Sequence, residues 1–291
     1  MSDFKFLKQP SGKSVISAPR RAARPDIAKD SNISCPFCPG REKDEEEVFR
    51  VGGIYPDSNW KVRVIPNKFP FAPIHEIVIH SQDHHKNFGE LDSEETELIF
   101  KTYRQRFQTH QDKGQVYIFH NRGEGGGESL PHPHSQIAVV PNDVKLEIQP
   151  PQEPDQNTAE IVQTTNFNIF CPLTSDWPDE VWIASKEDKK FGDVTDEEIA
   201  DLSSSITKVI KILDTRHGNE FPYNFYIYPG ENWYLRIIPR QKSLGGFEIG
   251  TNVFINTQDP KETMAFIKEH FENPDFEKIK STYQASYKKA V

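Results

Sequence analysis

The chain has 291 residues, 35% of them apolar and 27% charged, with 20 Phe, 9 Tyr and 4 Trp. That is apolar enough for a sizeable core and excludes a disordered chain. A formal net charge of -9 excludes a general nucleic-acid or anionic-membrane surface. The sequence has neither a run of about 18 apolar residues nor an apolar N-terminal core, so the expectation is a cytoplasmic protein with no membrane contact.

Two of the three cysteines lie in Cys35-Pro-Phe-Cys38. In a reducing compartment such a pair points to metal binding or redox chemistry rather than a structural disulfide. No thioredoxin-like βαβ context surrounds it, which favours metal. Cys171 stands alone and reads as a core residue.

Residues His75 to His80 read as a strand, followed by a polar turn, Phe88-Gly89, and a helix opened by Asp92 with Glu95 three residues on. Two β-rich stretches follow, Gln115–Phe119 and Ser135–Val140. After Pro150–Thr165, whose Pro, Gln, Glu and Asp content reads as a linker, the order recurs. There is a strand over Glu180–Ser185, Phe191-Gly192, a helix opened by Thr195 with Glu198, then strands over Tyr223–Tyr228 and Trp233–Ile238. Each half reads β-α-β-β, so the predicted fold class is α+β, an antiparallel sheet with helices on one face. The expected division is 1–150 and 151–291, with a helical tail over Pro260–Val291.

The halves differ in chemistry. His110, His120, His132 and His134 cluster around the final strand pair of the first, whereas the second has only His217 there and Arg236 inside its last strand. A single active centre is therefore expected in the first half. The stretch from Asn121 through the glycines to Ser129 and then His132-Pro-His134-Ser-Gln136 is the densest in chemistry. Glycines let backbone N–H groups approach an anion, and alternation puts His132, His134 and Gln136 on one face of an extended segment. A neutral imidazole beside an amide donor suits nucleophilic attack on phosphorus.

His132-Pro-His134-Ser-Gln136 resembles the active-site signature of galactose-1-phosphate uridylyltransferases, in the wider histidine-triad superfamily. Ala18-Pro-Arg-Arg21-Ala-Ala-Arg24-Pro25, Cys35-Pro-Phe-Cys38, Val64-Ile-Pro-Asn67-Lys-Phe69, Ser81-Gln-Asp-His84 and Gly246-Phe247-Glu248 are similar to further elements of that family, in its order. The resemblance implies an intramolecular pseudo-dimer of histidine-triad-like halves and a covalent nucleotidyl-histidine on His134. Gln136 would contact a phosphoryl oxygen. Arg21, Arg24, Asn67, Asn121 and Ser129 would hold the nucleotide and its phosphates, and Phe247 and Glu248 the sugar. It also implies one structural zinc ion on Cys35, Cys38, His84 and His132, with His85 a rival to His84.

Departures narrow this. The family places metal-binding histidines in a second-half Trp-x-Leu-His-x-His segment, where this chain reads Trp233-Tyr-Leu-Arg236-Ile-Ile238. No second metal is expected, and Phe247 replaces a tyrosine. The implied activity is ping-pong transfer of a nucleoside monophosphate between a nucleotide sugar and a hexose 1-phosphate. UDP-glucose and galactose 1-phosphate come first, ADP-glucose phosphorolysis second. Other readings are a dinucleoside-polyphosphate phosphorylase or hydrolase and a non-catalytic, zinc-stabilised nucleotide-binding module. A homodimer is also implied.

Overall fold

The computed structural model describes residues 4–24, 34–154, 161–218 and 221–281. An N-terminal hairpin of β1 (Lys5–Lys8) and β2 (Ser14–Ser17) forms its own small sheet. The first half then runs β3 (Phe49–Val51), β4 (Val62–Pro66), β5 (Ile74–Ile79), α1 (Ser93–His110), β6 (Gln115–Arg122) and β7 (His134–Val140). The second runs β8 (Val162–Gln163), β9 (Phe167–Phe170), β10 (Val181–Ser185), α2 (Asp196–His217), β11 (Tyr223–Ile227) and β12 (Tyr234–Pro239). Helices α3 (Gly246–Thr251) and α4 (Pro260–Phe271) follow, and 276–281 are again helical. The last residues of the predicted helical tail, 282–291, lie outside the described residues.

Strands β3 to β12 form one ten-stranded antiparallel sheet in the order β3-β4-β5-β7-β6-β11-β12-β10-β9-β8. Outward from the central β6–β11 pair, the sequence β6, β7, β5, β4, β3 on one side mirrors β11, β12, β10, β9, β8 on the other. The fold is thus α+β, with two histidine-triad-like β-α-β-β units. Each unit is extended by two earlier strands that the sequence pattern did not reveal. The expected linker is shorter than 150–165, because Val162–Gln163 pairs with β9 at the sheet edge. Two residues are too few to show a period. Residues 155–160 lie outside the described residues.

Both helix starts form as the sequence predicts. Asp92 accepts from Glu95 N while Glu95 caps Asp92 N, and Thr195 and Glu198 do the same. The recurring Phe-Gly has a packing reason. A Cβ on Gly89 would lie 2.4 Å from Asp214 of α2, and one on Gly192 would lie 2.8 Å from Phe107 of α1. Each half's glycine therefore admits the other half's helix. Helices α1 and α2 cover one face of the sheet. Ile99, Phe100, Tyr103 and Phe107 from α1 meet Leu202, Ile206, Ile210 and Leu213 from α2 in a single buried cluster. Each such side chain contributes roughly 1.5–3 kcal/mol.

The opposite face carries two smaller clusters. Phe37, Trp60, Ile65, Ile79 and Leu130 lie over the first half, and Phe170, Trp182, Tyr226 and Tyr234 over the second. No helix among the described residues is long and apolar enough to cross a membrane.

Candidate active site

Strand β7 lies between β5 and β6, and all seven of its residues are buried. In register, His134 faces Ile79, and Gln136 lies between Ile77 and Phe119. The alternate residue Ser135 points to the helix side, where Tyr103 Oη (2.5 Å) and His80 Nε2 (2.8 Å) meet its hydroxyl. His134 and Gln136 therefore share the face away from the helices, as alternation requires. His132 does not join them. It precedes β7, and its ring turns toward the two cysteines, because Pro133 and the start of pairing break the alternation there.

The tautomer of His134 follows from one contact. Its Nδ1 lies 2.9 Å from the carbonyl oxygen of His132. A carbonyl only accepts, so Nδ1 carries the proton and the lone pair sits on Nε2. Nε2 makes no hydrogen bond among the described residues. Burial lowers the His134 pKa from 6.5 to about 4, which keeps the ring neutral. The carbonyl of His134 is held in turn by His120 Nδ1 at 2.9 Å.

Gln136 is oriented by a residue that the sequence analysis read only as part of a strand. The backbone N–H of Phe71 donates to His75 Nδ1 at 3.4 Å, which puts the His75 proton on Nε2. Nε2–H then donates to Gln136 Oε1 at 2.9 Å. Asn67 Nδ2 reaches the same oxygen at 3.4 Å, its own amide fixed by Phe69 N–H donating to Oδ1 at 2.8 Å. With its oxygen accepting from both, Gln136 has its NH₂ left for the cavity. Nothing in the local sequence marks His75, since the contact depends on the β5–β7 register.

A cavity of about 220 Å³ opens on this face, with Phe37, Ile65, Ile77 and Leu130 as apolar walls and Arg24, Asn67, Ser129, His134 and Gln136 as polar ones. That is below the roughly 300–1,000 Å³ usual for a drug-sized ligand, so it has room for only part of one. Arg21 lies beside it, donating to Phe69 O at 2.6 Å with its guanidinium 5.0 Å from the Phe71 ring. Burial first, and Arg24 second, lower its pKa. Asn121 does not line the cavity but accepts from Asn224 Nδ2 at 2.8 Å. Phe247 and Glu248 sit on α3, also away from the cavity lining; Phe247 is exposed, and Glu248 is paired with Lys242.

The Gly-rich loop corrects one expectation. The N–H groups of Gly123, Gly126, Gly127 and Glu128 are spent on bonds inside the loop, so these four do not face an anion. A Cβ on Gly126 would lie 2.8 Å from Tyr223 O. That glycine is needed for close approach to β11.

Cys35, Cys38, His84 and His132 bring one donor atom each to within 4.8 Å of one another and could hold a metal ion. Cys38 Sγ lies 3.2 Å from His84 Nδ1 and 3.6 Å from His132 Nδ1, and Cys35 Sγ lies 3.7 Å from His132 Nδ1. Tetrahedral zinc with ordinary Zn–S and Zn–N bonds has sulfur–nitrogen edges of about 3.5 Å. His132 Nε2 donates to Ser81 O at 2.8 Å, which leaves its Nδ1 lone pair toward the sulfurs. Burial, with Cys35 beside it, raises the Cys38 thiol to about 11, a penalty on ionisation that a bound cation would remove. His85 is exposed and outside the group. Phe37, within the cysteine knuckle, packs edge-on against His134 with ring centroids 5.2 Å apart. The four-residue group thus fixes a wall of the cavity beside His134.

In the second half, Arg236 is buried and held bidentately by Glu180 at 2.7 and 2.8 Å, with Asp176 at 3.2 Å and Tyr226 Oη at 3.3 Å. This ion-pair network, under Trp182, occupies the strand face that in the first half carries His134 and Gln136.

Residues 74–140 match the family model described as galactose-1-phosphate uridyl transferase, N-terminal domain. ADP-glucose phosphorylase of Arabidopsis thaliana is 27% identical over 316 residues, covering 88% of this chain and 89% of that one. Galactose-1-phosphate uridylyltransferase of Thermotoga maritima is 22% identical over 88% of this chain and 94% of its own. The chain is thus similar to the galactose-1-phosphate uridylyltransferase family, by its model over residues 74–140 and by relatives along most of its length. A solved family structure, the Arabidopsis ADP-glucose phosphorylase with bound ADP-glucose, superposes with a TM-score of 0.68 at 26% identity, covering 91% of this chain and 99% of that one. Within the family these relatives are nucleotidyltransferases and phosphorylases, and this chain is an enzyme of that kind.

Proposed function

We propose that the protein transfers a nucleoside monophosphate from a nucleoside diphosphate sugar to a phosphate acceptor by way of a covalent nucleotidyl-His134. The observation behind this reading is the His134 Nδ1–His132 O bond of 2.9 Å, which leaves Nε2 as an unprotonated nucleophile beside the cavity. Nε2 attacks the α-phosphorus and forms the P–N bond. The P–O bond to the bridging oxygen breaks, and its electron pair leaves with the sugar 1-phosphate. No proton has to move, because Nδ1 already carries one and the carbonyl of His132 stabilises the positive ring that results. The NH₂ of Gln136 meets the charge that develops on a non-bridging oxygen. Phe37, Ile65, Ile77 and Leu130 clasp the nucleoside, and Arg24 with Ser129 receives its phosphate. The metal is a single structural zinc that anchors the knuckle carrying Phe37.

ADP-glucose with inorganic phosphate as acceptor is the preferred pairing. The 27% identity to an ADP-glucose phosphorylase over most of both chains supports it. UDP-glucose with a hexose 1-phosphate, ranked first by the motifs, is the second reading, supported by the 74–140 family match. Intact-protein mass spectrometry after incubation with each nucleotide sugar, without acceptor, tests the proposal. A gain of one nucleoside monophosphate names the base. Absence of any adduct with both donors refutes the covalent mechanism.

A further inference from the structure

Arg240 follows β12 and has no carboxylate within ion-pair distance among the described residues. Its guanidinium lies 4.5 Å from the Trp177 ring centroid, and Nη1 donates to Asn224 Oδ1 at 3.1 Å. Its Nε is buried and has no partner among the described residues. Burial lowers its pKa, with no neighbouring charge opposing the shift. A half-buried cation without a counter-charge costs stability and is completed by an anion.

The register says where that anion would sit. Phe119 faces Gln136 and His120 faces Ser135, so the next step places Asn121 across from His134. Asn121 in turn faces Asn224 on β11. These residues share the sheet face of His134, with neighbouring strands about 4.8 Å apart. Arg240 fixes Asn224 Oδ1, and Asn224 Nδ2 donates to Asn121 Oδ1 at 2.8 Å and to Gly126 O at 2.7 Å. Asn121 is thereby left with its NH₂ free for a ligand. The apolar cavity lies on the β4–β5 side of His134, and this polar row leads away on the other.

We propose that Arg240, with Asn121 held by Asn224, forms the subsite for the phosphate dianion that leaves and attacks. This rests on the nucleotidyl-transfer reading above. An oxygen of the bound dianion attacks the nucleotidyl phosphorus and forms a P–O bond. The P–Nε2 bond breaks, its electron pair returns to Nε2, and the ring is again neutral with its proton on Nδ1. The planar guanidinium fork suits a phosphate, whether inorganic or at C1 of a hexose.

The test loads His134 with the 5′-phosphorimidazolide of adenosine or uridine, whose leaving group is imidazole and needs no phosphate subsite. Discharge of the loaded protein is then followed against inorganic phosphate, glucose 1-phosphate and galactose 1-phosphate in separate arms. R240Q should load as the parent does, with acceptor KM raised roughly 10- to 100-fold, the scale of a lost charged hydrogen bond. R240K should recover part of it, which controls for folding. The acceptor that discharges the parent distinguishes inorganic phosphate from a sugar phosphate. An unchanged KM for that acceptor in R240Q overturns the proposal. Should the parent itself take no nucleotide, the transfer reading fails. Titration of the parent and R240Q with inorganic phosphate and glucose 1-phosphate, read by calorimetry, then decides the subsite: binding lost in R240Q supports it, and equal binding or none in the parent overturns it.

Discussion

His75 Nε2 donates to Gln136 Oε1 at 2.9 Å, and this one bond decides which end of the glutamine amide faces the cavity. If His75 acts through Gln136, the two are coupled. H75L should slow nucleotidylation about 10-fold with little change in donor KM, but should cost almost nothing in a Q136A background. Pre-steady-state loading rates in the double-mutant cycle measure this, with a coupling of roughly 0.5–3 kcal/mol expected. Additive effects would show that His75 is only a packing residue.

Removal of the nucleophile should be complete. H134A should show no nucleotide adduct while keeping the parent's thermal unfolding profile, and H134G should transfer nucleotide from a supplied phosphorimidazolide to acceptor. Q136A should retain the adduct but form it about 10²-fold more slowly, the scale of one lost donor at a developing oxyanion. Turnover retained by H134A would end the covalent mechanism.

Metal analysis should find one zinc per chain. C35S should lose it and melt at lower temperature, because the knuckle that carries Phe37 onto His134 would lose its anchor. Unchanged zinc content in C35S by elemental analysis would refute the ligand assignment.

Stability should fall on mild acidification. Burial lowers His75 and His134 from 6.5 to about 4, and His120 to about 3. Between these values and 6.5 the unfolded chain binds protons that the native chain does not. The stability contributed by these neutral rings is present above pH 6.5 and is lost as pH falls from there toward 4. Each ring accounts for up to about 1.4 kcal/mol per pH unit. Urea unfolding at pH 7.5 and 5.5 measures it, and equal stability at both would show that the rings are not held neutral. Loading of His134 should stay level over the same range.

Much of this protein was legible in the chain. The recurrence of strand, Phe-Gly, capped helix and strand pair announced two like halves, because period, caps and turn residues are local properties. The cysteine spacing and the His-Pro-His-Ser-Gln motif likewise singled out side chains that lie together in the fold, with Cys35, Cys38, His84 and His132 in one group and Phe37 packed on His134. What packs against these residues was not legible. His75 meets Gln136 only through the β5–β7 register, His132 turns from the motif's shared face to the cysteines, and the loop glycines answer to β11 rather than to an anion. Arg240 reaches the row beside His134 through Asn224 and Asn121, on strands far apart in sequence. Donor and acceptor roles depend on which groups face each other once the sheet has closed, and no local pattern contains that register.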